Sequence, residues 1–270
     1  MNKKYTFGFI GCGNMGGALA TAAAGGNPEM PIAVYDPMTE KAQALADAFE
    51  GVRVTALDEL AKNSRYLWIG VKPQMLPTLF AQLAPLLPED AILVSMAAGT
   101  AIAAIEALAG KPLPVIRIMP NIPVAVGKGV ILYDANDQTT EADLSFFASA
   151  MSGAGLLDRI EESKIDAASA ISGCGPAFAY LFIEALADGG VACGLPRAKA
   201  QAYAAAMLSG SAEQVTASGR HPGALKDAVC SPGGTTIAGV RALEEGGLRA
   251  AAMNAVIAAY EKTLALKPKE

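Results

Sequence analysis

The chain has 270 residues, 52% hydrophobic and 17% charged, with 21 Lys and Arg against 26 Asp and Glu for a net charge of −5. It is too apolar and too weakly charged for disorder, and long enough to bury a real core in one large or two modest domains. Without a block of basic residues it carries no electrostatic footprint for nucleic acid, so no nucleic-acid partner is expected.

In chain order, Lys3 and Lys4 precede a 24-residue uncharged stretch, Tyr5 to Pro28, which has the outline of a secretory leader. Seven glycines and Asn14 interrupt it, so it reads as strand, turn and helix. No other segment approaches roughly 20 continuous apolar residues, so no membrane span is expected and the cytoplasm is the default compartment. The pattern predicts strands over Tyr5–Ile10, Ile32–Tyr35, Val52–Val54, Tyr66–Val71, Ala91–Val94, Val115–Met119 and Gly129–Leu132. Between them it predicts helices over Thr39–Phe49, Met75–Leu87, Ile102–Leu108 and Thr140–Ala150. Such alternation argues for βαβ units and a parallel sheet covered on both faces.

From Ser163 onward β-branched clusters nearly vanish, and Ala, Leu, Met and Tyr recur at helical spacing. Helices are predicted over Lys164–Ser172, Pro176–Gly190, Arg197–Val215, Pro222–Val229, Thr236–Glu245 and Leu248–Leu266, parted by Gly- and Pro-containing breaks. The expected division is 1–160 and 161–270. An Ala-rich helical array of this size has surplus apolar face, which points to a second copy as its partner.

Four cysteines, Cys12, Cys174, Cys193 and Cys230, are never closer than 19 residues, so no Cys-x-x-Cys site or disulfide framework is read. One histidine, His221, excludes most zinc hydrolases and leaves the chemistry to a cofactor, hydroxyls or carboxylates; no metal is expected.

Gly11-Cys12-Gly13-Asn14-Met15-Gly16 matches G-x-G-x-x-G, following a β-run that ends at Ile10 and opening a helix. The first glycine permits the tight turn, the second a close approach of backbone to pyrophosphate, the third helix-on-strand packing. Free N–H groups at the helix start suit the diphosphate. Asp36, 20 residues after Gly16, would accept from ribose hydroxyls and repel a 2′-phosphate, which leans towards NADH; Asp36-Pro37 is also an ordinary turn start.

Val71-Lys72-Pro73-Gln74 and Ala97-Ala98-Gly99-Thr100 follow the fourth and fifth strands, where open α/β sheets bind ligands; plain loop punctuation explains the same letters. Asn121, after the sixth strand, serves either a nicotinamide or a turn. Ser231-Pro232-Gly233-Gly234-Thr235-Thr236 at a helix start gathers N–H and hydroxyl donors fit for a carboxylate. A simple N-cap by Thr235 or Thr236 fits equally well.

Together the Gly11–Gly16 loop, Val71-Lys72-Pro73, Arg117-Ile118-Met119-Pro120-Asn121, Ser172-Gly173-Cys174-Gly175-Pro176-Ala177 and Asp227 through Ile237 resemble the pyrroline-5-carboxylate reductases, the enzymes that make proline. The resemblance runs in order over nearly the whole chain, and Ser-Pro-Gly-Gly-Thr-Thr-Ile is its most specific element. It implies an α/β fold: an N-terminal Rossmann-like dinucleotide-binding domain followed by an all-α dimerisation domain. It implies reduction of L-Δ1-pyrroline-5-carboxylate to L-proline with NADPH or NADH, and dimers that group into decamers. The implied dinucleotide contacts are Ile10, Gly11, Cys12, Gly13, Asn14, Met15, Asp36, Val71, Lys72, Pro73, Ala97, Ala98, Gly99 and Asn121. The implied carboxylate contacts are Ser231, Gly233, Gly234 and Thr235, with the Thr236 hydroxyl at the ring nitrogen.

Cys174 stands where the family more often has serine. Asp36 departs from the small or basic residue found there in members that prefer NADPH. Two other readings are a β-hydroxyacid or other imine reductase and a non-catalytic dinucleotide-binding scaffold. The first calls for a lysine on the long helix, and Pro176–Asp188 has none. The intact Ser231–Thr236 cradle speaks against the second.

Overall fold

The computed structural model describes residues 3–265. The first part runs β1 (Tyr5–Ile10), α1 (Asn14–Gly26), β2 (Ile32–Tyr35), α2 (Thr39–Ala48), β3 (Val52–Val54), α3 (Leu57–Asn63) and β4 (Ser64–Ile69). It continues with α4 (Leu76–Leu83), β5 (Ile92–Ser95), α5 (Ile102–Ala109), β6 (Val115–Pro120), β7 (Gly129–Ala135), α6 (Glu141–Ala150) and β8 (Gly155–Arg159). The helices that follow are α7 (Glu162–Ser172), α8 (Gly175–Ala192), α9 (Arg197–Ser218), α10 (Pro222–Ala228), α11 (Thr235–Glu245) and α12 (Leu248–Ala265).

The strands form one eight-stranded sheet in the order β3-β2-β1-β4-β5-β6-β7-β8. Alternation along each strand sends successive side chains to opposite faces. Phe7, Phe9, Tyr66, Trp68, Val94 and Ile116 face α1, α2 and α6 in one core cluster. Ile10, Leu67, Ile69, Leu93 and Val115 face α3, α4 and α5 in another. The first face is aromatic: Phe9 and Trp68 stack at 4.9 Å, and Phe7 meets Trp68 edge-on at 5.2 Å.

The structure corrects the sequence reading in several places. The sheet is not wholly parallel, because β6 and β7 pair antiparallel. The connection over 121–128 is too short for a crossover helix, which needs about a dozen residues, so the chain must turn straight back. A helix, α3, and an edge strand, β8, were not read. β8 holds Gly155 and the charged Asp158 and Arg159, which mask the strand pattern. The fourth strand ends at Ile69, short of Val71, because Gly70 crowds the backbone of Gly11.

The chain divides into two compact units, one reaching Cys174 and resuming at Ala259, the other Gly175–Ala258. The division falls later than 160 because α7 is tied to the sheet. Arg117 of β6 donates to Asp166 at 2.7 Å and to Glu162 at 3.1 Å. The Glu162 amide donates to Asp134 of β7.

The Glu162–Ala192 run is, by length and composition alone, long and apolar enough to cross a bilayer, contrary to the expectation that no segment approached that length. The Gly-Pro break hid it: Pro176 sits in the first turn of α8, where a missing N–H costs nothing, so helix resumes at once. Within the second unit the only buried apolar residues are alanines, Ala187, Ala200 and Ala204, while Tyr180, Leu181, Tyr203 and Met207 are exposed.

Thr140 and Asp143 close a capping box at the start of α6, and Arg65 donates to Asp143 at 2.7 Å. Burial alone would raise the Asp143 pKa, but the hydrogen bonds from Thr140 and Arg65 outweigh it and hold the carboxyl below its ordinary value. The unfolded chain therefore binds this proton more readily than the folded one. The resulting stability is complete above the usual Asp range and is lost as pH falls through the lowered folded value. Asp143→Asn is expected to cost about 1–2 kcal/mol near neutrality and to flatten the acid limb in pH-dependent urea unfolding.

Candidate active site

The first unit brings the expected dinucleotide residues to the carboxyl edge of its parallel strands, where open α/β sheets hold ligands. β1 ends at Ile10, and Gly11 turns the chain at φ +98°, a conformation that favours glycine. A Cβ at position 16 would lie 2.0 Å from the Gly11 carbonyl oxygen, and one at position 11 would lie 2.6 Å from the Gly70 carbonyl oxygen. A Cβ at position 13 would meet nothing within 4 Å. Two glycines are thus demanded by packing, and the third faces open space where a pyrophosphate fits.

Gly13 is the N-cap of α1, no side chain caps it, and no acidic residue occupies the first turn containing Asn14 and Met15. Those amides and the helix dipole are available to an anion. Asp36, just past β2, accepts from the Cys12 amide at 2.7 Å and the Met38 amide at 2.8 Å. Cys12 is buried; burial first, and then the charge of Asp36, pushes its thiol up to about 12, so it is no nucleophile.

Three concavities follow this edge. One, of about 290 Å³, is lined by Ile10, Gly11, Tyr35, Pro37, Val71 and Gln74, and suits a flat apolar group such as adenine. The next, of about 610 Å³, lies between Pro73, Gln74 and Ala98–Ala101. The third, also about 290 Å³, is walled by Ala98, Gly99, Met119, Pro120, Ser169, Gly173, Cys174 and Thr263. Val71, Pro73, Ala98 and Gly99 line these spaces; Ala97 is buried behind them, and Lys72 is exposed.

Asn121 behaves otherwise. Its Nδ2 donates to the Ser172 carbonyl at 2.9 Å and its Oδ1 accepts from the Val130 amide at 2.8 Å. These bonds hold the buried amide to the turn into β7, and Asn121 is not among the residues lining the three concavities.

Sequence reading missed Tyr35, Met119 and Ser169 as wall residues and reached Gln74 only as the end of a candidate ligand loop. Gln74 had a signal in its place just after the fourth strand, whereas Ser169 had none, since only the docking of α7 brings it there. Lys164 is exposed on α7 and lies outside this wall.

In the second unit Ser231 to Gly234 form a tight turn, with the Gly234 amide donating to the Ser231 carbonyl at 3.0 Å and Gly233 at φ +68°. A Cβ at position 234 would lie 2.3 Å from Ser231 Oγ. Gly234 is the N-cap of α11, with no side-chain cap and no acid in the first turn. The bland alternative, a Thr235 or Thr236 hydroxyl capping the helix, is therefore not what folds. Both threonines are exposed, at a helix end whose dipole favours an anion. His221 caps α10 through Nδ1, which accepts from the Gly223 amide.

Comparison with known proteins fits this arrangement. Residues 162–266 match a model described as pyrroline-5-carboxylate reductase dimerisation, and residues 6–99 one described as NADP oxidoreductase, coenzyme F420-dependent. The chain is 40% identical to a pyrroline-5-carboxylate reductase of Glycine max over 97% of this chain and 96% of that one. It is 38% identical to the enzyme of Escherichia coli over 97% and 98% of the two chains. The crystal structure of the Plasmodium falciparum reductase, with NADP bound, superposes with TM-score 0.87 at 32% identity, covering 99% of this chain and 100% of that one.

The two packing glycines and the open one separate stability from binding. Gly16→Ala is expected to lose about 2–4 kcal/mol in chemical unfolding. Gly13→Ala should stay within about 1 kcal/mol of the parent, while its dinucleotide affinity in fluorescence titration falls roughly tenfold or more. With a dinucleotide edge in one unit and an uncapped anion cradle in the other, and with relatives matching from end to end, the chain belongs to the pyrroline-5-carboxylate reductase family, oxidoreductases acting on a CH–NH bond.

Proposed function

We propose that this chain reduces L-Δ1-pyrroline-5-carboxylate to L-proline, the last step of proline biosynthesis, using the residues assembled above. The observation that carries the assignment of residues is the start of α11: free of any side-chain cap or acid, flanked by the Ser231, Thr235 and Thr236 hydroxyls, and built on a turn that requires Gly234. Ser231, Gly233, Gly234 and Thr235 hold the substrate carboxylate by hydroxyl and backbone N–H donors. Thr236 directs its hydroxyl at the ring nitrogen. The loop from Ile10 to Met15, Asp36, the Val71–Pro73 loop and the Ala97–Gly99 loop hold the dinucleotide, NADPH or NADH, which when bound supplies the hydride.

A cyclic imine takes up its proton on nitrogen before reduction, so the protein need not furnish a strong acid. An ordinary hydroxyl is a poor one, and Thr236 serves to orient the nitrogen. The single histidine is committed to capping α10, in keeping with a reaction that asks for no imidazole base.

We further propose that residues 1–160 act as the dinucleotide domain and 161–270 as the helical substrate and dimerisation domain, working in the cytoplasm, a division by role in which α7 serves the second while it packs with the first compact unit. The exposed Tyr180 and Leu181 and the half-buried Ile183 of α8 border a groove of about 760 Å³. A second copy covers this apolar face, in line with the dimerisation model matched over 162–266. The same covering accounts for the apolar Glu162–Ala192 run without a bilayer.

An assay following dinucleotide oxidation at 340 nm with pyrroline-5-carboxylate tests the reading, and absence of turnover by protein that binds dinucleotide would overturn it. Thr236→Ala should lower kcat tenfold or more while dinucleotide affinity changes little. Ser231→Ala should instead raise the substrate KM by about five- to tenfold with kcat nearly kept, since a carboxylate contact serves ground and transition states alike.

A further inference from the structure

We propose that Asp36 makes this enzyme select NADH over NADPH. The inference rests on the dinucleotide site proposed above and goes beyond it by naming the cofactor and the residue that discriminates. β2 ends at Tyr35, and the next residue lays its carboxylate against the glycine loop: Oδ2 accepts from the Cys12 amide at 2.7 Å and Oδ1 from the Met38 amide at 2.8 Å. Two backbone donors from different segments fix the position of the carboxylate. A carboxylate oxygen accepts more than one hydrogen bond, so both oxygens keep acceptor capacity for the hydroxyls of a ribose.

A 2′-phosphate offers that carboxylate nothing. It brings further negative charge and only acceptors to a group that has no proton to give, and like charges so placed repel strongly. The field of Asp36 reaches the loop itself, since it helps raise the Cys12 thiol. The opposing positive influence on that thiol comes from Lys41, an exposed side chain on α2. A phosphate would have to draw Lys41 in against the fixed charge of Asp36. This sets the chain apart from the Plasmodium falciparum relative, whose structure holds NADP.

The test is fluorescence titration of the full-length protein with NADH and with NADPH, alongside kcat/KM for each with pyrroline-5-carboxylate. NADH is expected to bind roughly tenfold more tightly or better, with kcat/KM in the same order. Asp36→Ser and Asp36→Asn should each narrow that ratio by roughly tenfold, chiefly by improving NADPH. Equal or tighter binding of NADPH by the parent protein overturns the proposal, and that comparison decides even if a variant fails to fold. So does a ratio left unchanged in a folded variant. Tighter NADH binding without turnover by either dinucleotide would instead leave the selectivity standing and remove the reductase assignment.

Discussion

The dinucleotide edge depends on a close crossing of backbones at the top of β1. The Gly11 carbonyl lies within 2.0 Å of where a Cβ of residue 16 would sit, and the Gly70 carbonyl within 2.6 Å of where a Cβ of residue 11 would sit. Only glycine lets α1 start so near the strand it follows, and lets β1 and β4 end side by side. That nearness aims the amides of the first turn of α1 along the carboxyl edge. It also brings the Cys12 amide within reach of Asp36. What the site can offer, donors for an anion at a helix start and acceptors for a diol at a carboxylate, descends from this packing.

A second constraint holds the far end of the same edge. Arg117 is buried on β6 between Glu162 and Asp166 of α7, and the Glu162 carboxylate also accepts from the Ile102 amide at the start of α5. One guanidinium fork and one carboxylate thereby tie together the sheet, α7 and the helix that follows the Ala97–Gly99 loop. Ser169 and Gly173 on α7 then become walls of the cavity beside that loop. Such buried ion pairs contribute less to net stability than to geometry, because desolvation offsets most of their attraction.

The second unit obeys a different logic. Its helices α8 and α9 bury alanines against each other and leave tyrosine, leucine and methionine outside. An apolar face of this kind calls for a cover, and the segment that carries it matches a family model named for dimerisation. The uncapped helix start at Ser231–Thr236 belongs to this unit, and its donors are gathered by local turn geometry.

The sequence by itself determined what depends on neighbours in the chain. Strand and helix alternation, the glycine loop after Ile10, and the turn Ser231–Gly234 were legible because spacing and backbone freedom are local properties. β1, β2 and β3 lie where the pattern puts them. Tertiary structure decided the rest, because the deciding partners lie far apart in sequence. β8 is a strand only through pairing with β7, and α3 is held by the sheet beneath it through Leu60 and Ala61. Asn121 was open between cofactor and turn, and only the folded chain brings Ser172 and Val130 to its amide. Thr235 and Thr236 were open between cap and ligand until Gly234 took the N-cap position. In each case residue type set the alternatives, and the hydrogen bonds or contacts that bear on them are made only in the folded chain.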